Sequence, residues 1–391
     1  MSQAQDNYDA QVRAEIDIFK NWTNIHELPD IAHYWSNSKI RPKQEALGFS
    51  SAYAMFKLYL ERQCQREPAR AMRFVSIGSG NCDIEVDFAK HLLSAGYSNF
   101  VVECLDLNPA MLERGRLTAL QNGVSAQIGF LEGDFNRWQP EREYDAVLAC
   151  HSLHHVVNLE GLFKQVRSAL RPHGRFIISD IIGRNGHQRW PEALEIVQEF
   201  WRELPPAYRY NRMLQRYEEE FVNWDCSVEG FEGIRSQDIL PLLLNYFQFE
   251  MFEAYGNVID PFVDRCFGHN FDANAPWDRN FIDRVHQRDE EAMLAGRIKP
   301  VHMEAVVGRE VLDQVLCHRP FTPEFSVRWP DPPPPVDPEE FQRVEREMRR
   351  LREENETLRQ ELDLAGSQIR MAADSRWLSL GNRFGLGPKL R

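Results

Sequence analysis

No segment of the 391-residue chain approaches the unbroken apolar length of a membrane span, and the opening MSQAQDNYDAQVRAEIDIFK lacks the apolar core of a secretory signal. Both absences predict a cytoplasmic protein. The charge balance is acidic. The formal net charge of -13 argues against a nucleic-acid backbone as partner. The seven cysteines (Cys64, Cys82, Cys104, Cys150, Cys226, Cys266 and Cys317) include no CxxC pair and are odd in number. That pattern suits reduced thiols and offers neither a zinc site nor a disulfide frame.

What is present suffices for one large globular domain and an appendage, with 43% hydrophobic and 27% charged residues. Residues 1–70 read as an N-terminal helical cap containing Trp22, His33, Tyr34 and Trp35. From Arg73 onward, short apolar runs alternate with amphipathic stretches: RFVSIG, DFAKHLLSAG, NFVVECLDL, then AQIGFLEGD, YDAVLAC and RFIISDI. This alternation predicts an α/β, Rossmann-like fold in which crossover helices link parallel strands. Two further strands, at 247–255 and 301–307, bring the expected sheet to seven strands, mostly parallel. The domain is placed at 71–329, with a helical insertion at about 191–245 that is dense in Trp, Tyr and Arg.

The run PDPPPPVDP at 330–338 is a stiff linker, because proline lacks an amide donor and favours extended backbone. Beyond it, residues 339–374 carry a heptad seam: Phe341, Val344, Met348, Leu351, Asn355, Leu358, Leu362, Ala365, Ile369 and Ala372. The pattern predicts a C-terminal coiled-coil helix. Glu347 with Arg352 and Glu354 with Arg359 fall at flanking g and e positions, and Asn355 at an a position selects parallel two-stranded pairing. A parallel homodimer is therefore expected; a trimer and a lone helix packed on its own domain are the other arrangements. Residues 375–391 mix Arg376, Arg383, Lys389 and Arg391 with Trp377, Leu378 and Phe384, a composition suited to peripheral contact with an anionic membrane surface.

Ile77-Gly78-Ser79-Gly80-Asn81-Cys82 lies between an apolar strand and a helix, where a tight turn lets a ligand approach the backbone. Asp106 ends the next strand, where a carboxylate can accept both hydroxyls of a ribose. The plainer role is a helix cap. Asp134, in Gly133-Asp134-Phe135, follows the third strand and suits an adenine amino group, with Phe135 packing on the ring. Ligands of doubly wound sheets bind at these strand ends, so the three elements point to one crevice.

Together IGSGNCDIE, CLDLNPAMLERGR, EGDF, YDAVLACHSLHHV and LRPHGRFIISD resemble the class I (Rossmann-like) S-adenosylmethionine-dependent methyltransferases over roughly residues 70–185. The resemblance implies S-adenosyl-L-methionine as cofactor, held by Gly78, Ser79, Gly80, Asp106, Leu107, Asp134, Phe135 and Cys150. Two positions depart from the family pattern. Ser76 replaces an acid before the first glycine, and Cys82 replaces the third glycine, which weakens expected contacts to the methionine amino group.

The sulfonium already activates the methyl group, so alignment and exclusion of water are the main demands, and no metal is required. A hydroxyl acceptor gains from a general base. His151, directly after the fourth strand, and His154 are the candidates, with His155 beside them. Asp180, Arg184 and His187 follow the fifth strand and suit orientation of an acceptor. A polar aromatic wall of His33, Tyr34, Trp35, Lys39, Arg41 and Lys43, with Arg209, Tyr210 and Asn211, would suit a small polar or anionic acceptor. Heptad tails ending in SRW are similar to those of bacterial enzymes that modify surface polysaccharides, which implies a glycan acceptor. Two other functions compete: an NAD-dependent dehydrogenase, which leaves EGDF and HSLHH without a role, and a catalytically inactive scaffold assembled by its coiled coil.

Overall fold

Alternating apolar residues place two hydrophobic layers on opposite faces of one sheet. On the first strand, Val75 and Ile77 enter the layer beneath one face while Met72 and Phe74 enter the other. The computed structural model describes residues 3–19, 27–228, 230–312, 314–329 and 350. The proposed linker, coiled coil and basic aromatic tail lie outside these residues, apart from Arg350.

Helices α1 (Gln3–Phe19), α2 (Asp30–Trp35), α3 (Arg41–Ala46) and α4 (Ala52–Arg66) precede the sheet. A π-helical turn, Ser36–Ile40, joins α2 to α3. Then β1 (Met72–Ile77), α5 (Asp83–Ser94), β2 (Phe100–Asp106), α6 (Pro109–Gln121) and β3 (Ile128–Glu132) form the first half of the sheet. The second half runs through β4 (Tyr144–Cys150), α7 (Leu159–Ala169) and β5 (Leu170–Ile181). After β5 come α8 (Pro191–Glu203), a hairpin of β6 (Tyr210–Asn211) and β7 (Arg216–Tyr217), and α9 (Ser236–Tyr246). The chain continues through β8 (Gln248–Tyr255), α10 (Asp260–Val263), α11 (Pro276–Leu294), β9 (His302–Gly308), β10 (Leu316–Cys317) and α12 (Pro323–Ser326).

The main sheet has the order β10-β8-β9-β5-β4-β1-β2-β3. Strand β9 pairs antiparallel with both β5 and β8, and all other pairings in this sheet are parallel. The sheet therefore has eight strands rather than the expected seven. The extra edge strand, β10, is only two residues long and too short to register as a periodic pattern.

The segment 191–245 is also not a helical insertion throughout. Helix α8 does pack an apolar stripe of Ala193, Ile196, Val197, Phe200 and Trp201 inward. A two-stranded hairpin and irregular chain follow, and α9 is the crossover that feeds β8. Helices α4, α6 and α7 start at side-chain caps: Ser51 accepts from the Ala54 amide, Asn108 from Ala110 and Asn158 from Gly161. Among the described residues, no helix is long and apolar enough to cross a membrane.

Candidate cofactor and acceptor site

The turn after β1 is shaped by close approach. Gly78 has φ +67°, and a Cβ there would lie 2.6 Å from Ser152 Cβ, so a side chain is excluded both by conformation and by space. Its amide and that of Ser79 donate to the Leu105 carbonyl at 2.8 and 3.2 Å. The Gly80 amide donates to Asp106 Oδ2 at 2.8 Å, which locks the turn to the end of β2. Asp106 Oδ1 accepts from the Asn108 amide. Burial raises the Asp106 pKa above the ordinary range, against the lowering effect of these two donors. Leu107, next in sequence, is partly buried against the core below.

Asp134 caps the short helical turn 135–137 through the Asn136 amide and accepts from Tyr8 Oη at 2.7 Å. Phe135 is buried, and its Cε1 would lie 3.8 Å from a Cβ on Gly78. Its ring is thus part of the core that supports the glycine turn. Cys150, at the end of β4, is partly exposed, and burial of its thiol raises the pKa well above the ordinary value.

The two departures from the family pattern both have local compensations. Ser76 donates to Glu85 Oε1 at 2.5 Å, so the carboxylate absent from β1 returns from the first turn of α5. Burial pushes the Glu85 carboxyl up to about 7. Cys82 adopts φ 58°, a left-handed conformation more usual for glycine, and its Sγ sits where a Cβ on Gly115 of α6 would be, 2.7 Å away. The glycine missing from the turn is supplied across the helix contact.

On the acceptor side, His151 has φ 51° and is exposed. Desolvation, partly opposed by Asp180, lowers its pKa to about 4, so its ring is neutral near pH 7. Asp180 and His154 sit deeper. Asp180 Oδ2 accepts from the Ser152 and Leu153 amides at 3.0 and 2.7 Å, while Oδ1 meets His154 Nδ1 at 2.6 Å. His154 is 4% exposed and Asp180 1%, so neither offers an open atom to an acceptor. Burial alone would lower the pKa of His154, yet Asp180 and Glu232 raise it to about 10. This pair clamps the loop that carries His151, which is a positioning arrangement in place of the expected direct contact.

The expected aromatic wall faces elsewhere. Tyr34 and Lys39 both engage Asp283 of α11, Lys43 pairs with Glu290 at 2.6 Å, and Trp35 Nε1 donates to His286. Arg41 pairs with Glu45 on its own helix. Arg209 donates to the backbone carbonyls of Arg202, Leu204 and Glu219, and Asn211 accepts from the Met213 and Leu214 amides. Arg184 likewise donates to the Arg189 carbonyl. These groups hold the cap and the hairpin; the partners of Tyr34, Trp35 and Lys43 lie some 250 positions away in sequence, whereas those of Arg41, Arg184, Arg209 and Asn211 are local.

Helix α1 is the part of the site that sequence periodicity did not reveal. Tyr8 reaches Asp134, Asp9 lies 3.6 Å from Arg137, the Ile16 carbonyl accepts from Asn108, and Glu15 meets His155 at 2.7 Å. One helix thus spans the loops after β2, β3 and β4. Only its aromatic and acidic spacing could have hinted at this.

A glycine turn, an acid ending the second strand and an acid after the third strand lie together at the carboxyl edge of this sheet, the arrangement expected of a class I S-adenosylmethionine-dependent methyltransferase domain. Residues 74–174 match the family model described as a methyltransferase domain. The chain is 26% identical over 186 residues to a ubiquinone/menaquinone biosynthesis C-methyltransferase of Rhodopseudomonas palustris, covering 42% of this chain and 72% of that protein. It is 27% identical over 129 residues to a sterol 24-C-methyltransferase of Gibberella zeae, covering 33% of this chain and 32% of that one. Among solved structures, an O-methyltransferase from a trans-AT polyketide synthase of Brevibacillus brevis in complex with S-adenosyl-L-homocysteine matches with TM-score 0.38 at 14% identity. That match covers 71% of this chain and 79% of the other.

Proposed function

We propose that the protein transfers the methyl group of S-adenosylmethionine to a hydroxyl of a small polar acceptor, with a sugar of a surface glycan as the favoured class. The observation that carries the cofactor part is the Gly80 amide bound to Asp106 Oδ2 at 2.8 Å, which joins the glycine turn to the ribose-facing acid. Asp134 completes the crevice on one side, and the loop clamped by Asp180 presents His151 on the other. When bound, the cofactor supplies a methyl carbon that is electrophilic without further activation.

His151 is the general base in this reading. Its ring is accessible and neutral, so Nδ1 or Nε2 can take the hydroxyl proton as the new carbon–oxygen bond forms. Asp180 and His154 keep the loop in place and are positioning residues. Helix α1 excludes water from the crevice.

A parallel homodimer through residues 339–374, and contact of residues 375–391 with the inner face of a membrane, belong to the same proposal. They rest on the heptads and on the basic aromatic composition.

The test is a screen of sugars, phenols, small acids and quinols with labelled methyl donor. Hydroxyl-bearing acceptors should be labelled, and His151→Asn should slow transfer by about 10²–10⁴-fold without loss of cofactor binding. Labelling at carbon, as the names of the sequence relatives describe for those proteins, would overturn the O-methyl assignment.

A further inference from the structure

Three imidazoles and three carboxylates meet beside His151, and the methyl-transfer reading uses only one of these pairs. Nε2 of His154 and Nε2 of His155 each lie 3.5 Å from the Glu232 carboxylate, on Oε1 and Oε2 respectively. Nε2 of His187 stands 2.6 Å from Glu232 Oε1. The other ring nitrogens of the first two face outer carboxylates: His154 Nδ1 lies 2.6 Å from Asp180 and His155 Nδ1 lies 2.7 Å from Glu15. Nδ1 of His187 is buried without a hydrogen-bond partner, and Nδ1 of His155 makes no hydrogen bond either, despite its distance to Glu15.

Such an arrangement has a specific meaning for imidazole. In a neutral ring, a carboxylate that takes the proton on Nδ1 fixes the tautomer and leaves the Nε2 lone pair pointing inward, as metal-ligating histidines are usually held, so an entering ion displaces any proton on Nε2 to solvent. Only His154 has such an outer hydrogen bond, to Asp180, while Glu15 lies close to His155 Nδ1 without one; both rings turn Nε2 toward the same Glu232. At 3.5 Å those contacts exceed the usual 2.7–3.2 Å of an N–H···O hydrogen bond, so the direct pairing is loose where the outer contacts are tight. The rings of His154 and His155 are also packed with centroids 4.4 Å apart, a costly arrangement if both were charged. Ligand atoms of His154, His155 and Glu232 all fall within 4.8 Å of one another, a span one cation can bridge after small side-chain shifts.

We propose that His154, His155, Glu232 and His187 form a binding site for a divalent transition-metal ion. Three nitrogens and one carboxylate oxygen suit a borderline ion such as zinc, cobalt(II) or iron(II), and disfavour magnesium and calcium, which select oxygen ligands. The ion ties together the loop after β4, the loop after β5 and the chain before α9, while Glu15 brings α1 to the same centre. His151 lies next door, its ring centroid 6.4 Å from that of His154. The sequence concealed the site because its ligands come from three separate loops with no fixed spacing.

The test uses the full chain without a histidine tag, stripped with chelator and titrated with Co²⁺ by visible absorbance, then with Zn²⁺ by calorimetry. One equivalent should bind and give a saturable d–d band. Glu232→Gln and His187→Asn should each weaken binding by at least about 10-fold. His173→Asn, on an exposed histidine paired with Glu310, should change nothing. Circular dichroism and S-adenosylhomocysteine binding report folding of each variant. If Glu232→Gln unfolds, His187→Asn, on a loop residue, decides the matter. No saturable band at millimolar Co²⁺, or undiminished binding in a folded His187→Asn protein, would mean a hydrogen-bonded network only and overturn the proposal.

Discussion

Cys82 Sγ occupies the space that a Cβ on Gly115 would need, 2.7 Å away, so the third position of the cofactor turn and the middle of α6 are one steric unit. Gly115→Ala should force the thiol back toward the turn and cost roughly 1–3 kcal/mol of stability, with a measurable loss of S-adenosylhomocysteine affinity. Cys82→Gly in the same chain should restore much of both. A double-mutant cycle by denaturant unfolding and calorimetry reads the coupling. Additive single-variant effects would contradict the steric link.

Tyr8 Oη donates to Asp134 at 2.7 Å, and in the proposed reading this contact latches α1 over the cofactor site. Tyr8→Phe removes one hydrogen bond to a carboxylate, worth about 1.5–3 kcal/mol at most and less at this half-buried contact. Release of S-adenosylhomocysteine in stopped flow should therefore speed up by roughly three- to tenfold, a free-energy change of about 1 kcal/mol. An unchanged release rate would show that α1 does not gate the crevice.

These two relationships mark the boundary of what the chain's linear order discloses. The glycine turn, Asp106 and Asp134 were legible because each sits within a few residues of a strand end. The Ser76–Glu85 replacement lies within nine residues, yet it needed the turn of α5 to bring the acid back. The lysines and aromatics near residues 33–43 were assigned to a pocket wall, because their partners on α11 lie some 250 positions away and only the fold unites them. The same holds for Glu15, Glu232 and His187. Charge without a local partner reads as free in a sequence, and packing decides otherwise.

The His154–Asp180 pair predicts a pH dependence in metal-free protein. The folded pKa of His154, raised to about 10, lies above the unfolded value of about 6.5. The folded state thus binds the extra proton between these limits. Its contribution to stability is complete below about pH 6.5 and is lost as the pH rises toward 10. Unfolding free energy should fall over this window by at most about 1.4 kcal/mol per pH unit, and His154→Gln should flatten that slope. An equal slope in the variant would assign the effect to other groups.

His151 gives the opposite behaviour in catalysis. With its pKa lowered to about 4, the ring stays neutral through the range in which proteins are ordinarily assayed, so transfer should not fall between about pH 8 and pH 5 on its account. The rate should decline only as the pH approaches 4. A break near 6.5 that vanishes in His151→Asn would contradict the neutral imidazole.

Calorimetry with S-adenosylhomocysteine is the most direct test of the cofactor crevice. The wild-type chain should bind one equivalent, and Asp106→Ala should abolish binding while the protein stays folded, because both the ribose contact and the Gly80 anchor are removed. Absence of binding by the wild type, or NAD binding in its place, would contradict the account.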